Sequence, residues 1–284
     1  MTDKVSAVMT VAKALGGERI GTEHLLAGTL RAGAGVRSVL DAYDITPTVL
    51  HAVLRYRAER GAAPDDGPAA VDRARLTHGE PSAEQLLAVL LDDPRSQAGE
   101  LLRECGADVG AVREALRSGR APVRVERVPA DLRAVRDRMI GRARYRGRGL
   151  RDYLLTAVVR VRINYAETPV LWASLEADLI AKARGGPKRT DDVLRAMLMT
   201  YEVACAYPHL IGPANERYEG VRALVEVGVD WRHVARWEGD DDQVPVKELL
   251  KPGSDWPEDT SALLGVLVSH PGNRAGRLLA ENLV

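Results

Sequence analysis

Gly21-Thr22-Glu23-His24-Leu25-Leu26-Ala27-Gly28 sets the pattern of this 284-residue chain, because related strings stand at three further points. Thr22 is placed to accept a free backbone N–H at a helix start, Glu23 beside it suits the positive end of the helix dipole, and the leucines that follow face inward. A second copy runs Ser82-Ala83-Glu84-Gln85-Leu86-Leu87-Ala88-Val89-Leu90, in which Ser82 and Gln85 have capping-box spacing. A third is Thr190-Asp191-Asp192-Val193-Leu194, and a fourth is Asp259-Thr260-Ser261-Ala262-Leu263-Leu264-Gly265-Val266-Leu267.

Working outward, Leu86–Pro94 lies over Leu263–Pro271 without a gap, and Ala98-Gly99-Glu100-Leu101-Leu102 then falls on Ala275-Gly276-Arg277-Leu278-Leu279 in the same register. Copies one and three match further downstream, Gly35-Val36-Arg37-Ser38-Val39-Leu40-Asp41 over Gly220-Val221-Arg222-Ala223-Leu224-Val225-Glu226. The order is therefore one, two, one, two. The offset between copies one and three grows from 168 (190 minus 22) to 185 (220 minus 35), which locates an insertion near 207–213, a loop-like composition.

The length allows two domains, and a hydrophobic share of 45% lets each bury a core. With no Phe and 4% aromatics, those cores must be built from Leu, Val and Ala. The zero net charge hides a partition of about −2 over 1–120, about +8 over 121–162 and about −6 over 163–284. Cys105 and Cys205 stand alone, without CxxC spacing, which fits a reducing compartment and predicts a cytoplasmic location. No apolar run reaches the ~18 residues of a membrane span, and no signal-peptide core opens the chain.

Val5, Val8, Met9, Ala12 and Leu15 recur at helical spacing before Gly16-Gly17, and Thr46-Pro47 reads as an N-cap with proline at the first helical position. Residues 61–69 read as a linker, after which helices are expected near 70–77, 83–92, 96–105 and 109–117. The spacing thus predicts an all-α chain with one module at 1–120, a basic and partly helical linker at 121–167, and a second, diverged module at 168–284 opening at Thr168-Pro169. Within the linker, Leu132, Val135 and Met139 mark a helix, 141–149 an arginine and glycine cluster, and 158–163 a short strand or extended segment.

The string Leu15-Gly16-Gly17-Glu18-Arg19-Ile20-Gly21-Thr22-Glu23-His24-Leu25-Leu26-Ala27-Gly28, with Gly35 and Val36 after it, resembles the first repeat of the Clp unfoldase N-terminal domain (Clp repeat) family. Residues 1–120 resemble one whole domain of that family and 168–284 a second. The resemblance implies an all-helical, pseudo-twofold module that recruits substrates and adaptors to a ring-shaped ATPase. Since no GxxxxGK[ST] string occurs, the chain reads as a stand-alone tandem pair of such domains without the motor, an adaptor, decoy or ligand sink.

In the bacterial branch of the family the glutamate of this triplet and threonines near each repeat start bind phosphorylated arginine. The resemblance carries that role to Thr2, Glu23 and Glu84, with Asp191 as the second-module counterpart and Ser261 lacking the carboxylate. It implies as partners a Clp unfoldase or its substrates, arginine-phosphorylated protein, or the cyclic peptides that dock on the domain partly through phenylalanines this chain does not have.

Read from the residues alone, Glu23 and Glu84 are either first-turn helix charges or a carboxylate pair able to clamp a guanidinium. His24 has no recognisable nucleophile partner, and the six histidines show no ligand spacing, so the sequence predicts no catalysis, no cofactor and no metal site. The basic stretch 124–151 is either a solvated linker or a grip for nucleic acid or another acidic partner, with Tyr145 and Tyr153 among its arginines. No membrane partner is expected.

Overall fold

A computed structural model describes residues 4–145, 164–251 and 256–282. The chain is all helical, 69% helix, and among the described residues it has no strand. It divides into two compact units. Unit 1 holds, of the described residues, 4–127 and Ile140–Arg142; unit 2 holds Val128–Met139, 143–145 and the described part of 164–282.

Unit 1 comprises α1 (Lys4–Gly16), α2 (Thr22–Ala32), α3 (Ala34–Asp41), α4 (Pro47–Glu59), α5 (Gly67–His78), α6 (Ala83–Asp92), α7 (Gln97–Glu104) and α8 (Val109–Ser118). Val5, Val8 and Ala12 of α1, one helical face, are buried as their spacing requires. α1 crosses α2 at Gly28, where an added Cβ would sit 2.5 Å from the Val8 carbonyl oxygen, so only glycine permits that approach. Leu25, Leu26 and Leu30 of α2 and Leu86, Leu87 and Leu90 of α6 are buried at 2% exposure or less. Each such side chain contributes about 1.5–3 kcal/mol of apolar burial.

The helix ends follow local chemistry. Ser82 and Gln85 form both bonds of the capping box, at 3.2 and 2.8 Å, and Thr46 Oγ1 accepts from Val49 N–H ahead of Pro47. α5 begins three residues before the expected 70 because Asp66 caps it, accepting from Ala69 N–H at 3.0 Å.

Unit 2 contains α9 (Arg133–Met139), α10 (Pro169–Arg184), α11 (Thr190–Ala206), α12 (Pro208–Ile211), α13 (Glu219–Glu226), α14 (Trp231–Arg236), α15 (Val246–Leu249), α16 (Thr260–Val268) and α17 (Arg274–Asn282). Long α10 and α11 pack together, and α11 also meets α13, α14, α16 and α17. The insertion at 207–213 is packed helical structure rather than a loop. Tyr207, Leu210 and Ile211 are buried, Asn164 Nδ2 donates to the Leu210 carbonyl at 2.6 Å, and a 3-10 helix follows over Gly212–Tyr218. Apolar burial and a satisfied carbonyl override the turn-like proline and glycine content there.

The described part of the basic stretch is packed against the units. Leu132, Val135 and Met139 are buried in unit 2, whereas Arg142 of unit 1 donates to Asp41 at 2.7 Å and to Asp44 at 2.6 Å. The expected strand at 158–163 and residues 146–149 of the arginine and glycine cluster lie outside the described residues.

Candidate functional site

The residues singled out in the repeated strings sit where helix N-termini meet. In unit 1 the Thr22 side chain does not cap its own helix. Gly21 is the N-cap, and Thr22 Oγ1 accepts the free N–H of Ala98 at the start of α7, at 3.1 Å, and the Ser96 hydroxyl at 3.0 Å. Its own hydroxyl donates to Asp65 Oδ2 at 2.6 Å, and the same oxygen takes the Gln97 N–H at 3.0 Å while Oδ1 takes the Thr22 N–H. One carboxylate thus joins two helix starts. The loop is held close by Gly67, whose N–H donates to the Ile20 carbonyl at 3.1 Å and whose Cβ, if added, would lie 2.6 Å from that oxygen.

Unit 2 builds the same node from Thr190, Asp242, Arg274 and Ala275. Thr190 N–H and hydroxyl donate to Asp242 at 2.7 and 2.6 Å, Arg274 N–H donates to Asp242 at 2.8 Å, and Ala275 N–H donates to Thr190 Oγ1 at 3.0 Å. Asp65 and Asp242 are 177 residues apart, as are Gln97 and Arg274, the offset of the gapless overlay. Where Ser96 stands in unit 1, Asn273 holds the loop by exchanging two bonds with Val244.

Glu23 lies beside the first node and is 6% exposed, with Oε2 lacking a hydrogen-bond partner. Burial, with Asp65 adding repulsion, pushes its carboxyl up to about 7, although its own N–H and the more distant Arg57 guanidinium oppose this. Its neighbour His24, Nδ1 to Oε1 3.3 Å, accepts the Gly21 N–H on that nitrogen at 3.0 Å, and burial lowers its pKa against the pull of Asp65. Arg57 is occupied by Glu100 and Glu104 at 3.0 and 2.8 Å and by Gln97 Oε1.

Asp191 occupies the corresponding place in unit 2 and has a cation. Arg274 Nε donates to its Oδ2 at 2.8 Å, although burial still raises the carboxyl above the ordinary range.

Glu84 has a different role. Oε1 accepts the Gly35 N–H at 3.1 Å near the start of α3. Burial raises its pKa, but N–H groups of its own backbone, Gly35 and Val36 and the Ser82 hydroxyl outweigh that and hold it below the ordinary range. It also borders a groove of about 640 Å³ lined by Arg73, His78, Gln85, Asp92 and Arg117. The Glu23 carboxylate sits by Gly21 and that of Glu84 by Gly33 and Gly35, at opposite ends of α2. The twelve residue steps from Gly21 to Gly33, across the eleven residues of α2, separate those ends by about 18 Å, so the two acids are not brought together as one clamp on one guanidinium. Thr2 lies outside the described residues, and Ser261 follows Thr260, whose hydroxyl accepts the Val221 N–H at 3.2 Å.

Sequence reasoning missed Asp65, Asp242 and Arg274. Asp65 is hidden in a linker-like string, but the equal spacing of Asp65–Ala98 and Asp242–Ala275 within the overlay was a usable signal. Among the described residues no three His, Cys, Asp or Glu side chains are grouped to hold a metal ion, and no helix is long and apolar enough to cross a membrane. No protein-family model, curated protein or solved structure gives a significant match to the chain.

Proposed function

We propose that the chain is a non-catalytic binding protein whose two units are recruitment modules of the Clp N-terminal kind, serving Clp proteolysis as adaptor, decoy or ligand-sequestering protein. One observation carries this reading: a desolvated carboxylate, Glu23, at a junction of helix N-termini, with no Lys or Arg among the described residues paired with it and one oxygen unpartnered. Such a group is satisfied by a proton or by an incoming cation, and a guanidinium answers it with charge-assisted hydrogen bonds. An arginine-phosphorylated protein or an arginine-bearing peptide has that chemistry. Thr2 belongs to the phosphate contact by family likeness alone. Glu84, on its groove, is a separate second contact.

The nucleic-acid alternative is weakened by five of the described arginines of the basic stretch, which are engaged within the chain, while Arg144 is exposed. Arg124 and Arg142 pair with Asp41, Arg127 with the Cys105 carbonyl, Arg136 with Asp137 and Arg138 with Glu176.

Calorimetry with an arginine-phosphorylated protein tests the reading. Wild type binds at pH 8, Glu23→Ala weakens binding at least about tenfold, and affinity rises from pH 6 to 8 as Glu23 ionises. A parallel pull-down with a Clp unfoldase separates adaptor from sink. Absence of wild-type binding, or unchanged binding by Glu23→Ala, overturns it.

A further inference from the structure

We propose that unit 2 contains a guanidinium-binding site that the chain fills with its own Arg274. The side chain is built into a receptor of three chemically distinct walls. Nε donates to Asp191 Oδ2 at 2.8 Å, Nη1 donates to the Gly239 carbonyl and to the Asp240 carbonyl at 3.2 Å, and the guanidinium carbon lies 5.0 Å from the Trp237 ring centre. Trp237 is itself fixed, its indole N–H donating to Glu281 at 2.8 Å. Carboxylate, carbonyls and an aromatic face together suit a planar, multiply donating cation and match an ammonium poorly. Arg274 is 6% exposed.

A salt bridge of this kind is often only a structural brace. Here the comparison between units speaks against that, because unit 1 closes the same Thr–Asp node with Gln97 at the corresponding position and, among the described residues, no guanidinium on Glu23. The node does not need the arginine. What Arg274 does is occupy the acid that unit 1 leaves unpartnered, so the site in unit 2 is closed to outside cations for as long as its side chain stays in place. Asp191 Oδ1 remains without a hydrogen bond, so the internal ligand engages the carboxylate through one oxygen and leaves the other available to a bidentate guest.

The test is chemical rescue in the full chain. Arg274→Ala empties the site, and Arg274→Gln, which copies unit 1, serves where alanine folds poorly. Methylguanidinium at about 10 mM should raise the melting temperature of the variant and bind it saturably, while leaving wild type unmoved. Methylammonium should give at most a small fraction of that shift, and adding Asp191→Asn should abolish it. Equal effects of the two cations, rescue that survives Asp191→Asn, or no saturable binding by either variant overturns the proposal. The measurement reads unit 2 alone, so its outcome is independent of whether Glu23 takes a ligand in unit 1.

Discussion

The two helix-junction nodes share a backbone scheme and differ in the side chains around it, above all in Gln97 against Arg274. In unit 1 Thr22 and Asp65 tie together the starts of α2 and α7; in unit 2 Thr190 and Asp242 do the same for α11 and α17. Beside the first, Glu23 pairs with no Lys or Arg among the described residues, and beside the second, Asp191 has Arg274. The scheme common to both serves folding, since it satisfies N–H groups that every helix start leaves over. The part that differs is where binding chemistry can vary without endangering the fold.

The largest effect should come from removing the shared carboxylate. Asp65→Ala leaves the Thr22 N–H and hydroxyl and the Gln97 N–H without acceptors, and Asp242→Ala does the same to Thr190 and the Arg274 N–H. Each should cost about 3–5 kcal/mol in urea-monitored unfolding. Similar losses support equivalent nodes, whereas a loss under about 1 kcal/mol in either unit breaks the comparison.

A smaller effect isolates Glu23 by its pH dependence. A carboxyl whose folded pKa, about 7, exceeds its unfolded value of 4.5 takes up a proton on folding, so wild type loses stability as pH rises through that window. Glu23→Gln lacks the loss. It should match wild type near pH 4.5 and exceed it by about 1–2 kcal/mol at pH 8, a figure discounted for solvent screening. A difference that is flat with pH would show that Glu23 is not held protonated.

The smallest effect concerns the second pair of helix starts. Glu84 accepts the Gly35 N–H near the start of α3 in unit 1, and Thr260 accepts the Val221 N–H at the start of α13 in unit 2. Glu84→Ala and Thr260→Val should each cost about 1 kcal/mol, the usual worth of a cap. The threonine variant should cost slightly more, because its hydroxyl also donates to the Arg217 carbonyl at 2.9 Å. Thermal unfolding of the two variants measures it.

Helix identity was legible in the chain itself. The spacing of Val5, Val8 and Ala12, the Ser82–Gln85 box and Thr46-Pro47 are local signals, decided within a turn or two of helix. Glu23, Glu84 and Asp191 were singled out from their place in the repeated strings and given a ligand role by the family resemblance. Thr22 was found too, though with the wrong helix as its partner.

Its true acceptor role toward Ala98 spans 76 residues, and Asp65 reaches Thr22 across 43. Tertiary structure alone decided those pairings, because a free N–H at a helix start takes whichever oxygen packing brings to it. The same holds for the buried acids. The sequence placed Glu23 and Asp191 at equivalent helix starts, but Gln97 or Arg274, far along the chain, determined which carboxylate lies beside a cation once water is excluded. Periodicity and capping act over a few residues and are written in order along the chain, whereas desolvation and charge pairing depend on neighbours that only folding supplies.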